Sequence, residues 1–137
     1  MIHIREIDHV VLRVSDLERM IGFYRDVLGC EVAWRRPELG LVHLRAGRSM
    51  IDLVPVDGPL GRPGGAAPGS EGRNMDHVCL RVEPFDEGAI VAHLEAHGAR
   101  VGEIRTRFGA EGNGTSIYLR DPEDNVVELK GPSVPQA

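Results

Sequence analysis

Asp8-His9-Val10-Val11-Leu12-Arg13-Val14 returns later in the chain as Asp76-His77-Val78-Cys79-Leu80-Arg81-Val82, with six of the seven positions identical. A match of that quality within one chain marks an internal duplication. Each copy alternates in the manner of a half-buried strand and runs into a segment of helical period that stops at a glycine. After the first copy, Ser15 and Glu18 have capping-box spacing, and Leu17, Met20, Ile21, Tyr24, Val27 and Leu28 form an apolar stripe up to Gly29. After the second, Pro84 sits where a first-turn proline is tolerated, and Ala89, Ile90, His93, Leu94 and His97 lead to Gly98.

Three apolar runs follow each helix. They are residues 31–35, 41–45 and 49–54 in the first half and 100–106, 114–120 and 125–130 in the second, separated by turn chemistry. Each half therefore reads β-α-β-β-β, and the fold class is α+β, two such modules in tandem. Module one covers about residues 1–55 and module two about 75–131, with a short tail at 132–137. Between the modules, ten of the twenty residues from Pro55 to Asn74 are Gly or Pro, a composition that suits an exposed linker or a lid.

Composition narrows the function. The 137 residues make one ordinary domain, and a formal charge of −5 with six aromatic residues lacks the electrostatic and stacking footprint of a nucleic-acid binder. No apolar stretch has the length of a bilayer span, and the opening residues lack the apolar core of a secretory signal, so neither a membrane nor export is expected and the setting reads as cytoplasmic. The two cysteines, Cys30 and Cys79, are too few for a disulfide framework and read as small reduced core residues.

Side chains two apart on a strand share a face, so His9, Val11 and Arg13 project together, as do His77, Cys79 and Arg81, while Val10, Leu12, Val78 and Leu80 take the helix-covered side. Two imidazoles at equivalent places are half of a metal site. The last strand of each half supplies a carboxylate, because Met50-Ile51-Asp52-Leu53 aligns with Val126-Val127-Glu128-Leu129. An acid in an otherwise apolar strand is costly unless paired, and a cation offsets that cost. The expected ligands are therefore His9, His77, Asp52 and Glu128, a nitrogen and oxygen set suited to a first-row divalent ion such as Ni, Zn, Co, Mn or Fe. Arg13 and Arg81 lie on the same face and suit an acidic substrate group; the alternative is pairing with a local acid such as Asp16 or Glu83. His43 and Tyr118 hold matching places in the penultimate strands, with their direction open by one residue, and are candidate acid or base groups.

Together these features resemble the vicinal oxygen chelate superfamily, the group of glyoxalases, bleomycin-resistance proteins and extradiol dioxygenases. The resemblance spans nearly the whole chain and rests on residues 8–14, the helix end Phe23-Tyr24-Arg25-Asp26-Val27-Leu28-Gly29, the second histidine His77, and the ending from Tyr118 through Asp121-Pro122 to Leu129. It implies paired modules forming a cupped mixed sheet around a divalent metal held by His9, His77 and Glu128. Asp52 stands where glyoxalase I carries a fourth, glutamate ligand, and Arg13 matches a glutathione-contacting arginine of that enzyme. A homodimer acting on a small-molecule substrate is implied, with the site within one chain or across two. The expected activity is a glyoxalase-like lyase or isomerase that stabilises an enediolate, with Glu128 or Asp52 as base. Two alternatives accompany it. One is a non-haem iron dioxygenase of a catechol-type substrate, should Asp52 not coordinate; the other is a metal-free binding module of the bleomycin-resistance type. The threonine that fosfomycin-resistance transferases carry is replaced here by Val11.

Overall fold

The computed structural model describes residues 1–135, so the last two residues of the expected tail lie outside the described residues. Two compact units emerge, one ending at Asn74 and the other beginning at Met75. Each carries one four-stranded mixed sheet and little helix, so the α+β class and the tandem β-α-β-β-β order hold.

In the first unit, β1 (His9–Val14) is followed by α1 (Leu17–Gly22), which widens into a π turn at Phe23–Val27, and then by β2 (Glu31–Arg36), β3 (Leu41–Ala46) and β4 (Ser49–Pro55). The sheet order is β1-β4-β3-β2, with β1 and β4 parallel and the other neighbours antiparallel. The expected alternation is present: Leu12 and Val14 are fully buried, while His9 and Val11 are exposed. Met20, Ile21 and Tyr24 bury the helical stripe, and α1 lies against β4. Full burial of each such side chain contributes about 1.5–3 kcal/mol. Gly29, at φ +77°, turns the chain out of the helix, and the Cys30 amide then donates to the Tyr24 carbonyl at 2.8 Å.

The N-cap is Asp16 rather than Ser15: its carboxylate accepts from the Arg19 amide at 3.1 Å. A charged acceptor facing the positive end of the helix satisfies a free N–H and gains from the local dipole, which moves the start by one residue.

The second unit runs β5 (Val78–Arg81), α2 (Glu87–Ala96), β6 (Arg100–Gly109), β7 (Gly112–Arg120) and β8 (Val126–Lys130), in the order β5-β8-β7-β6 with β5 parallel to β8. Here the expected first-turn proline is corrected. Pro84 follows a cis peptide and lies outside the helix, whose cap is Asp86, accepting from the Ala89 amide at 3.0 Å. The β6–β7 hairpin extends to a tight turn at residues 110 and 111, past the bounds expected from its glycines. Cys30 is buried as expected, but Cys79 is exposed, because it projects from β5 on the face that α2 does not cover.

The Gly/Pro-rich linker belongs to the first unit and folds onto β1. Arg13 donates from Nε to the Gly61 carbonyl at 3.0 Å and from its two terminal nitrogens to the carbonyls of Ala66 and Gly65 at 3.0 and 2.7 Å. Asn74 closes the segment by accepting from the Arg13 amide at 3.1 Å and donating to its carbonyl at 3.0 Å, a strand-like pairing made by a side chain. Two glycines are required by close approach: a Cβ at Gly61 would sit 1.9 Å from the Pro55 carbonyl oxygen, and one at Gly64 would sit 2.4 Å from the Arg13 Nε. No helix among the described residues is long and apolar enough to cross a membrane.

Candidate metal centre

Each unit presents one polar sheet face, and cross-strand register decides which side chains share it. In the first unit Val11 of β1 and His43 of β3 both lie opposite Asp52 of β4, so His9, Val11, His43 and Asp52 face the same way. In the second, Cys79 of β5 and Tyr118 of β7 both lie opposite Glu128 of β8. That register removes the one-residue ambiguity for His43 and Tyr118 and confirms that they are equivalent positions.

Both carboxylates are buried, Asp52 at 5% and Glu128 at 4% exposure, and each has an imidazole beside it. The imidazole differs between units. His77 Nε2 stands 3.2 Å from Glu128 Oε1, whereas Asp52 Oδ1 is held at 2.9 Å by Nδ1 of His43. His9 is close enough for the Asp52 charge to act on it.

Both expected ligand histidines are anchored by the acid that precedes them. Asp8 Oδ1 lies 2.7 Å from His9 Nδ1, and Asp76 Oδ1 lies 2.6 Å from His77 Nδ1. The hydrogen bond to Asp8 is the largest cause of a raised His9 pKa, with the charges of Asp52 and Asp8 adding to it against desolvation. A carboxylate on Nδ1 fixes the proton there and leaves Nε2 as the lone-pair donor, which is the orienting device of metal-bound histidines. Residue types and spacing had pointed to the histidines alone. The signal for Asp8 and Asp76 was present in the repeated Asp-His pair, which had served only to define the repeat.

The donor pair of the second unit fits a divalent ion. A separation of 3.2 Å between His77 Nε2 and Glu128 Oε1 is that of two donors sharing an ion at about 2.1 Å from each. Among the described residues no group of three or more His, Cys, Asp or Glu side chains is gathered for a metal.

The surrounding residues are occupied in distinct ways. Tyr118 meets His77 edge-on, with ring centroids 5.8 Å apart, and the Arg107 guanidinium lies 3.9 Å from the Tyr118 ring. Arg13 carries the linker, as described above. Arg81 pairs with Glu111 at 3.0 Å and with Glu83 at 3.2 Å, so the local-acid alternative describes this arginine. Partial desolvation at the strand surface first, and then the charge of Glu128, push the Cys79 thiol up to about 11, which keeps it protonated at neutral pH. A pocket of about 240 Å³ opens at His77, Cys79, Arg81, Glu128 and Lys130.

A polar face with a buried acid and an acid-anchored histidine, repeated in two β-α-β-β-β units, defines a class of duplicated α+β proteins. The chain belongs to the Glyoxalase/Bleomycin resistance protein/Dioxygenase superfamily, whose family model matches residues 6–129. It is 32% identical over 132 residues to the virulence protein STM3117 of Salmonella typhimurium, covering 92% of this chain and 83% of that protein. The crystal structure of the same virulence protein superposes with a TM-score of 0.79 at 27% identity, covering 96% of this chain and all of the other. Human mitochondrial methylmalonyl-CoA epimerase is 29% identical over 132 residues, covering 90% of this chain and 72% of the epimerase. A lactoylglutathione lyase from Agrobacterium tumefaciens matches in structure with a TM-score of 0.64 and 26% identity, over 92% of each chain. A superfamily with such members supports an enzymatic role.

Proposed function

We propose that this chain is a metal-dependent enzyme of the glyoxalase type, a lyase or isomerase that moves a proton next to an oxygenated carbon of a small substrate. The single observation that carries the reading is the matched pair of acid-anchored histidines, Asp8–His9 and Asp76–His77, each on the same sheet face as a buried carboxylate. His9, His77 and Glu128 would hold the divalent ion, with Asp52 as a fourth candidate. When bound, the ion supplies Lewis-acid polarisation of substrate oxygens.

The chain's own residues would do the rest. Glu128 or Asp52 takes the proton; for Asp52 the His43 imidazole, 2.9 Å away and with its Nε2 buried without a hydrogen-bond partner, is placed to steady the charge and pass a proton on. The Tyr118 hydroxyl serves as donor or acceptor to bound substrate, its ring fixed by His77 and Arg107. Arg13 and Arg81 keep a role in substrate binding only through N–H groups beyond those already bonded. The proposed set would be completed within one chain or across two copies in a homodimer. A cytoplasmic location completes the reading.

One observation favours a second reading. Asp52 is bonded to His43, whereas Glu128 reaches the histidine of its own module, so the set reduces naturally to two imidazoles and Glu128. That set suits ferrous iron and a catechol substrate.

Elemental analysis of protein purified without chelator tests both readings, with about one divalent ion per site expected. Solvent-deuterium incorporation and thioester absorbance with methylglyoxal and glutathione test the lyase; oxygen uptake with catechols under ferrous iron tests the dioxygenase. Absence of any stoichiometric ion removes both and leaves the binding module. An Asp52→Ala variant with unchanged metal affinity removes the four-ligand site.

A further inference from the structure

The first unit holds a cavity of about 520 Å³ lined by Trp34, Arg36, His43, Arg45, Arg48 and Asp8. The second unit holds one of about 540 Å³ at the equivalent place, lined by Asp76, His77, Tyr118, Arg100 and Arg120 among others. Arg45 and Arg120 are repeat equivalents, each two residues beyond His43 or Tyr118. Their electrostatic fates differ. In the second unit the β7–β8 connection carries Asp124, which takes an ion pair from Arg100 and whose carbonyl accepts from Arg120 at 3.2 Å. In the first unit the β3–β4 connection is a short turn with Gly47 at φ +62°, and it carries Arg48 in place of an acid.

The cations of the first cavity are thus barely neutralised. Among the described residues the ion-pair partner of Arg48 is Glu6, at 3.6 Å, and that of Arg36 is Glu38, at 3.7 Å, both beyond hydrogen-bond length. Among the described residues no ion pair joins Arg45 to Glu31, its cross-strand neighbour. Asp8 is turned to His9. Two polar atoms of the lining, Arg36 Nε and His43 Nε2, are buried with no hydrogen-bond partner. Arg36 Nε is a buried donor left unpaired, which is costly, and an anion beside it would satisfy that donor while the guanidinium groups of Arg45 and Arg48 add charge from the rim.

We infer that this cavity is an oxyanion subsite, in which Arg36, Arg45 and Arg48 bind a carboxylate or phosphate group carried by the substrate. Its assignment to the substrate rests on the enzyme reading above, because His43 joins this cavity to Asp52. The anion site itself is testable apart from that reading. The Arg36 guanidinium lies 4.2 Å from the Trp34 ring, against which His43 also stacks, so an anion that draws Arg36 or His43 alters the indole environment.

Trp34 is the sole tryptophan of the chain, so its fluorescence reads this cavity directly. Titration of the full-length protein with inorganic pyrophosphate and, separately, with malonate should give a saturable change with at least one of them, weakening as sodium chloride is raised. The tighter probe tells phosphate from carboxylate. Arg45→Met and Arg48→Ala should each weaken binding about tenfold, and Arg120→Met in the second unit should leave it unchanged. Arg48 is almost fully exposed, so its replacement does not threaten the fold. The inference is overturned by no response to either probe, by unchanged affinity in both first-unit variants, or by an equal loss in Arg120→Met. The same titration on Glu128→Ala should be undisturbed. A protein that binds the anion through these arginines yet takes up no metal would sink the enzyme reading and spare the subsite.

Discussion

The two units share a topology and a polar face, yet they use them differently. In the first, Met20, Ile21, Phe23 and Tyr24 of the helical segment are buried; in the second, Leu94 alone among the residues of α2 is. The carboxylate contrast runs the other way, since Glu128 meets its module's histidine and Asp52 meets His43. Duplication preserved backbone register and the Asp-His anchor, and it left the positions around them free to diverge. Symmetry in such a protein therefore marks what the shared chemistry needs, and asymmetry marks where substrate or stability has made separate demands.

Five sets of substitutions test this contrast. The largest effect is expected on the metal: Glu128→Ala should lower divalent-ion affinity by more than about 100-fold, while Asp52→Ala should do much less, because Asp52 is engaged by His43, as read by competition with a chromophoric chelator. Next, Asp8→Asn and Asp76→Asn should each weaken the same affinity about 10- to 100-fold by releasing the imidazole on Nδ1. Equal losses in the two variants would show that both modules feed one chemistry. Leu53→Ala in the first core should cost about 2–5 kcal/mol in urea unfolding, and Leu94→Ala a similar amount with the loss of exchange protection concentrated in α2. Asp124→Asn should release Arg100, while Arg120 keeps its bond to the carbonyl of residue 124, and should raise the anion affinity of the second cavity. The smallest effect belongs to Glu18, whose pKa is lowered by its bond to Arg35 on the surface. A depressed carboxylate contributes stability above its unfolded pKa and loses it as pH falls through the folded value, so Glu18→Gln should slightly flatten the acid limb of stability and hardly move Tm at neutral pH.

How much of this was legible in the sequence depended on whether the repeat could vouch for a residue. Strand parity at His9 and His77 was readable because two copies agreed, and the β4 and β8 carboxylates were found by the same alignment. The facing of His43 and Tyr118 required the observed register, because a slip of one residue inverts a strand's faces. Ser15 and Asp16 are both good caps in adjacent positions, and composition alone could not rank them. The partners of Arg13 were invisible because its acceptors are backbone carbonyls, which every residue has. Arg48 and Asp124 were unmatched because the turns that carry them differ in length.

The clamp of Arg13 on its glycine-rich neighbour has a practical corollary for anyone recombining these halves. A chimaera spliced at residue 55 would leave three carbonyl acceptors behind and strand a guanidinium on β1, whereas a splice after Asn74 carries the clasp across intact. Foreign second modules should therefore be grafted at Met75, and the intervening glycines kept with the donor of β1.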